Sequence, residues 1–162
     1  MSTWSEPDVF YAQLATFHAM TAALITEPGT GRVLLVKPAY KDAWTWPGGY
    51  LDAGEYPHDG CARELTEALG LTIAPGRLLL VDFAPPTAHR RRALISMLFD
   101  CGELPPDTTI HLQESELSVW AFFTADEAAD RLPAMERYRV TAALHARRNN
   151  STVYLPGSPA ER

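Results

Sequence analysis

Glycines, an arginine and carboxylates recur at fixed intervals in one stretch of the chain, WPGGYLDAGEYPHDGCARELTEALGLTI, from Trp46 to Ile73. Gly48 and Gly49 lack a Cβ, so their backbone can come close to a ligand or a metal. On a helical wheel Glu64 and Glu67 stand together on one edge, a turn apart, beside an apolar face of Cys61, Leu65 and Leu69. Two carboxylates so placed can hold a divalent cation through oxygen ligands, as magnesium requires. The cation would offset phosphate charge, and a carboxylate would orient or deprotonate a water. Ala68 interrupts this edge. Four residues after Glu64, it puts a methyl where a further carboxylate would stand above the first. Taken alone, two helical glutamates read more readily as a solvated edge, and Pro-Gly-Gly as a plain turn.

A loop and a helix must position these residues. KDAWTWPGG reads as a loop ending in glycines, and Gly54 is a second hinge. YPHDGCARELTEALG reads as a helix, with Pro57 in its first turn, Asp59 complementing the N-terminal dipole and Gly70 as the stop. Before it, HAMTAALITEPGTGRVLLVKPAY reads as two strands around a turn at Pro28, Gly29 and Gly31. After it, RLLLVDFAPP and ALISMLFDCG read as a hairpin about the polar turn TAHRRR, and LSVWAFF as a further strand. Thr124 and Glu127 predict a capping box for a helix over ADEAADRL, and Pro133 separates it from a second helix, AMERYRVTAALHARR. EPDVFYAQLATF predicts a brief N-terminal helix after Pro7, and TVYL a short strand in the tail. Strands and helices mix without strict alternation. This predicts an α/β (α+β) fold, a mixed sheet with helices packed on it. The expected organisation is an arm over residues 1–17, one domain over 18–150 and a tail over 151–162.

Composition narrows the function. The 162 residues are 46% hydrophobic and 21% charged, the balance of one globular domain. A net charge of −6 argues against a broad nucleic-acid surface but leaves room for a small anionic substrate. The start MSTWSEPDVF lacks a basic segment followed by an apolar core, and no apolar run is long enough for a membrane span. Cys61 and Cys101 form no C-x-x-C pair. They read as small buried hydrophobes in a cytoplasmic protein. No nucleophile-elbow serine and no Gly-Lys-Ser/Thr phosphate loop is present. His18 and His58 have no visible partner and receive no role.

The spacing in the first stretch is long and specific. Gly49 is followed by five residues and Glu55. Seven more lead to Arg63-Glu64-Leu65, then Glu67, Ala68, Gly70 and Leu71. This resembles the Nudix box, G-x5-E-x7-R-E-U-x-E-E-x-G-U with U a bulky aliphatic, at every specified position except the last glutamate, here Ala68. Nearly the whole chain shares the likeness. GRVLLVKPAYK, WTWPGGYLDAGE, GRLLLVDFAPP and LFDCGEL look like a single-domain Nudix subgroup common in actinobacteria. The resemblance implies a Nudix fold, a mixed sheet between helices with the box as loop-helix-loop. It implies that Glu55 and Arg63 tie loop to helix, with Gly49 and Gly70 as structural members. The Gly48 carbonyl, Glu64 and Glu67 would handle Mg2+ or Mn2+. A further catalytic glutamate is expected in a later loop, with Glu114 the first candidate and Glu116 the second.

Substrate contacts are expected from Trp44 and Tyr50, with Trp46 and Phe83 as further aromatic candidates, and from the basic cluster Arg90, Arg91 and Arg92, which also reads as a solvated turn. The resemblance also implies a homodimer. Catalytic residues would thus be Glu64, Glu67 and Glu114, acting on a small-molecule diphosphate without nucleic acid or membrane. The leading reading is a metal-dependent pyrophosphohydrolase of a nucleoside diphosphate-X, with low or specialised activity because Ala68 removes a usual metal ligand. The rival is a non-catalytic Nudix domain that binds a nucleotide-like ligand as a regulator or scaffold, which tight binding without metal or turnover would favour. A weaker third is an isoprenoid diphosphate enzyme.

Overall fold

Uninterrupted apolar runs decide which strands lie innermost. The computed structural model describes residues 4–157. In chain order its elements are α1 (Pro7–Ala12), β1 (Phe17–Thr26), β2 (Val33–Pro38), β3 (Gly48–Tyr50), α2 (Pro57–Leu69), β4 (Leu78–Ala84), β5 (Ala93–Glu103), β6 (Leu117–Phe123), α3 (Ala125–Arg131), α4 (Arg137–Arg148) and β7 (Val153–Leu155). β1 is exposed at its first two residues and buried over its last six, and β2 opens with four buried residues in a row. Such runs suit strands covered on both faces. The sheet runs β6-β2-β1-β5-β4-β7, with β3 also on β1. β1 pairs with β5 in parallel, while β5 and β4 form the expected antiparallel pair. The sheet is therefore mixed.

Helices cover both faces. α2 turns Cys61, Leu65 and Leu69 onto Ile25, Leu34 and Phe99. α3 and α4 pack Ala128, Val140 and Ala143 against Leu24, Leu35 and Leu80 on the other side. α2 ends at Gly70 in the left-handed conformation, where the Gly70 N–H donates to Thr66 and the Leu71 N–H to Leu65. Thr124 and Glu127 make the capping box of α3. α4 starts at Arg137 rather than at Ala134, because Pro133–Glu136 closes a turn first. Cys61 and Cys101 are buried free thiols with Sγ atoms 3.9 Å apart. The tail contributes β7, which pairs in parallel with β4.

One departure from the simple hairpin reading of β1 and β2 shapes the site. The two strands pair only next to their turn, at Thr26 and Val33. Beyond it they splay, and residues 45–50 enter the gap. Thr45 bridges to Val36, the Ala23 N–H donates to Pro47, and Gly48 lies opposite Ala22. The glycine loop is thereby wedged between two central strands.

Candidate active site

The wedge explains both glycines. Gly48 has φ +146°, and a Cβ there would collide with the Thr21 carbonyl. A Cβ on Gly49 would occupy the space of the Glu64 carboxylate. The pair thus lets the loop enter the sheet and lets Glu64 lie flat against it.

Arg63 fastens the box. Its Nε donates to Glu55 Oε1 at 2.8 Å, and its Nη2 to Glu55 Oε2 at 3.0 Å and to the Tyr50 carbonyl at 3.1 Å. Its Nη1 reaches Glu64 Oε1 at 2.9 Å and Glu67 Oε2 at 3.0 Å. The Asp52 N–H adds a bond of 3.0 Å to Glu55. Arg63, then that N–H, hold the Glu55 carboxyl down at about 2. Glu64 behaves oppositely. Burial pushes its carboxyl above the usual range, Arg63 pulls it back, and the carboxylates of Glu67 and Glu116 add to the rise.

Two adjoining cavities open here. One, of about 260 Å³, is bounded by Glu64, Ala68, Glu116, Trp46 and Gly48. The other, of about 560 Å³, shares Glu64, Glu116 and Gly48 and extends past Arg63, Tyr50 and Lys41. Glu116 arrives on a loop tied to the end of α2. There the N–H groups of His111 and Gln113 donate to the Leu69 and Ala68 carbonyls at 3.0 and 3.1 Å. These are carbonyls a helix leaves unsatisfied at its C-terminus.

The expected residues divide as follows. Gly48, Gly49, Arg63, Glu64 and Tyr50 meet at the larger cavity, and Glu55 supports them through Arg63. Glu67 lies outside the lining, half-exposed on Arg63. Of the two later glutamates, Glu116 faces the cavities and Glu114 lines neither. Trp44 turns away, edge-on to Phe123 at 4.8 Å between ring centres. Trp46 is buried but borders the smaller cavity. Phe83 packs edge-on against Phe17. Arg90 spends its Nη atoms on the carbonyls of Arg92 and Pro85, and Arg91 and Arg92 are exposed; none of the three lines these two cavities. Tyr40, Lys41 and Glu136 line the larger cavity without any motif to announce them. Among the described residues no group of three or more His, Cys, Asp or Glu forms a ready metal cage. Two carboxylates on one cavity do fit magnesium, which keeps several waters and is commonly held by one or two carboxylates together with substrate phosphates.

Comparison with known proteins decides the family, since the model of the NUDIX domain matches residues 16–144. This chain is a Nudix domain. A MutT-like protein of Streptomyces ambofaciens is 27% identical to it over 127 residues, 78% of this chain and 77% of that protein. Among solved structures, the MutT protein of Methanosarcina mazei Go1 superposes with a TM-score of 0.66 at 23% identity, over 84% of this chain and 96% of that chain. A UDP-X diphosphatase superposes at 0.69 with 21% identity, over 95% and 76%. An ADP-ribose pyrophosphatase of Streptococcus suis 89-1591 superposes at 0.61 with 21% identity, over 86% and 98%. These likenesses establish the Nudix fold. No helix among the described residues is long and apolar enough to cross a membrane.

Proposed function

We propose that this Nudix domain is a cytoplasmic hydrolase that uses Mg2+ or Mn2+ to cleave a phosphoanhydride in a nucleoside diphosphate joined to a further group. The observation that carries the reading is the pair Glu64 and Glu116 on one cavity beside the glycine loop, with Glu64 pushed up by burial and by its like-charged neighbours. The names of two structural neighbours, a UDP-X diphosphatase and an ADP-ribose pyrophosphatase, point to the same substrate class.

In this reading Glu64 and Glu116 hold the cation from the protein side, and Gly48 forms the adjoining wall. The bound cation supplies charge neutralisation at the phosphates and a lowered water pKa. Arg63 orients Glu64 and keeps Glu55 ionised beside it. Lys41 contributes positive charge on the phosphate side of the larger cavity. Ala68 borders the smaller cavity and offers no ligand, so a bound cation would depend on substrate phosphates and waters for its remaining ligands.

The test is turnover of nucleotide sugars, ADP-ribose, nucleoside triphosphates, dinucleoside polyphosphates and prenyl diphosphates in Mg2+ and then Mn2+. Wild type is expected to hydrolyse a nucleoside diphosphate-X. Glu64→Gln should fall by about 100-fold or more, and Glu116→Gln should weaken Mn2+ binding measured by paramagnetic resonance. Ala68, which puts a methyl rather than a carboxylate on the cavity wall, favours the second reading, a nucleotide-binding domain without turnover. Silence from wild type, with hydrolysis by Ala68→Glu, would establish that reading instead.

A further inference from the structure

The larger cavity does not end at the box. Leu94 and Glu136 line it and also line a second chamber of about 220 Å³ between the β4–β5 end of the sheet and α4. That volume is small beside the ~300–1,000 Å³ of pockets that take whole drug-sized ligands. It suits one ring system. Ala84, Leu94, Pro133 and Met135 give it apolar walls.

Its polar groups are built in. Asp82 is 1% exposed and Arg139 is 7% exposed. Asp82 Oδ2 accepts from the Tyr138 hydroxyl and from Arg139 Nε, each at 2.6 Å, and Oδ1 accepts from the Gly157 N–H at 3.2 Å. Asp82 is therefore fully used in gripping the guanidinium by Nε. Among the described residues Arg139 makes its hydrogen bond through Nε and none through its two Nη atoms, and it lines the chamber. Glu136 Oε2 stands 3.5 Å from Nη1, at the opening toward the larger cavity. Asp82 and Glu136 balance Arg90 and Arg139, so the chamber has no surplus positive charge for a second phosphate. What it offers a ligand is a donor beside an acceptor, between apolar walls.

We propose that this chamber receives the heterocycle of a nucleoside diphosphate and reads a keto–imino edge, with Arg139 donating to a ring carbonyl and Glu136 accepting from the adjacent ring N–H. The inference rests on the nucleoside diphosphate reading above. Guanine, hypoxanthine, uracil and thymine carry that edge. Adenine and cytosine set an amino group beside a bare ring nitrogen, which opposes donor to donor at Arg139 and lone pair to carboxylate at Glu136. The apolar walls at Leu94 and Met135 would flank the ring.

Calorimetric titration with α,β-methylene diphosphates of guanosine, uridine, adenosine and cytidine, in magnesium, tests this without turnover. The guanosine and uridine compounds should bind about tenfold more tightly than the other two, or better. Glu136→Gln should collapse that ratio toward unity at an unchanged melting temperature, because an amide can turn either its donor or its acceptor to the ring. Glu136 is the residue to change, since removing Arg139 would strand Asp82. Equal binding of all four compounds, or a ratio untouched by Glu136→Gln, would overturn the chamber's role and leave the diphosphate reading standing. Failure of all four to bind, alongside hydrolysis of a diphosphate that carries no nucleoside, would overturn both.

Discussion

Arg63 and Arg139 anchor the two ends of the cleft, and they are matched differently. Arg63 has a side chain 26% exposed and shares its donors among Glu55, Glu64, Glu67 and the Tyr50 carbonyl. Arg139 has a side chain 8% exposed, hydrogen-bonds one carboxylate, Asp82, through Nε alone, and stands 3.5 Å from a second, Glu136. At the box, carboxylates outnumber the arginine, so net negative charge is left facing the cavity, which suits a cation. At the far chamber, opposite charges cancel, and what is left over is hydrogen-bonding capacity. Residues of the same types thus prepare one end for charge and the other for a neutral polar ring.

The largest effect that would break this contrast lies at the buried end. Arg139→Met should cost about 3–5 kcal/mol by stranding Asp82, read as a lower urea midpoint. Changing Asp82 to Leu in the same chain should recover much of the loss. Arg63→Met should cost less, about 1–2 kcal/mol, because solvent reaches the carboxylates it leaves behind. Equal losses in the two variants would erase the distinction.

The smallest effect sharpens the contrast within the box through pH. The Glu55 carboxyl is lowered in the folded state, so its contribution is present above about 4.5 and is lost as pH falls through about 2. The Glu64 carboxyl is raised, so its contribution is present below the ordinary carboxylate range and is lost as pH rises through its elevated value. Glu64→Gln should therefore be more stable than wild type at pH 7, with the advantage shrinking on acidification. Glu55→Gln should be less stable at pH 7, with its deficit shrinking in acid. Denaturation curves from pH 7 to pH 3 check both signs.

Local features were legible in the sequence. The box is contiguous, so its spacing places Glu55, Arg63 and Glu64 on one loop and one helix. Thr124 and Glu127 cap α3 through contacts three residues apart. Features that depend on distant partners were not legible. Glu116 and Glu114 sit in a loop without periodicity, and their orientations depend on how that loop is fastened to Ala68 and Leu69. Trp44 and Tyr40 are both loop aromatics near the box, and only Phe123, far along the chain, shows why Trp44 turns inward. Asp82, Glu136 and Arg139 come from β4, a turn and α4, so no short pattern unites them. The apolar runs of β1 and β2 announced burial but not that the strands would part to admit the glycine loop.

The parallel pairing of β1 with β5 sets an order of assembly. Phe17 must meet Ala93, and the whole box and β4 lie between them. Closing so large a loop costs chain entropy before any contact repays it. On a ribosome, β1 and the box helix emerge well before β5 exists to complete the centre of the sheet. The helix that carries the chemistry is thus made early and waits, its apolar face covered only in part by Ile25 and Leu34, for a strand translated much later.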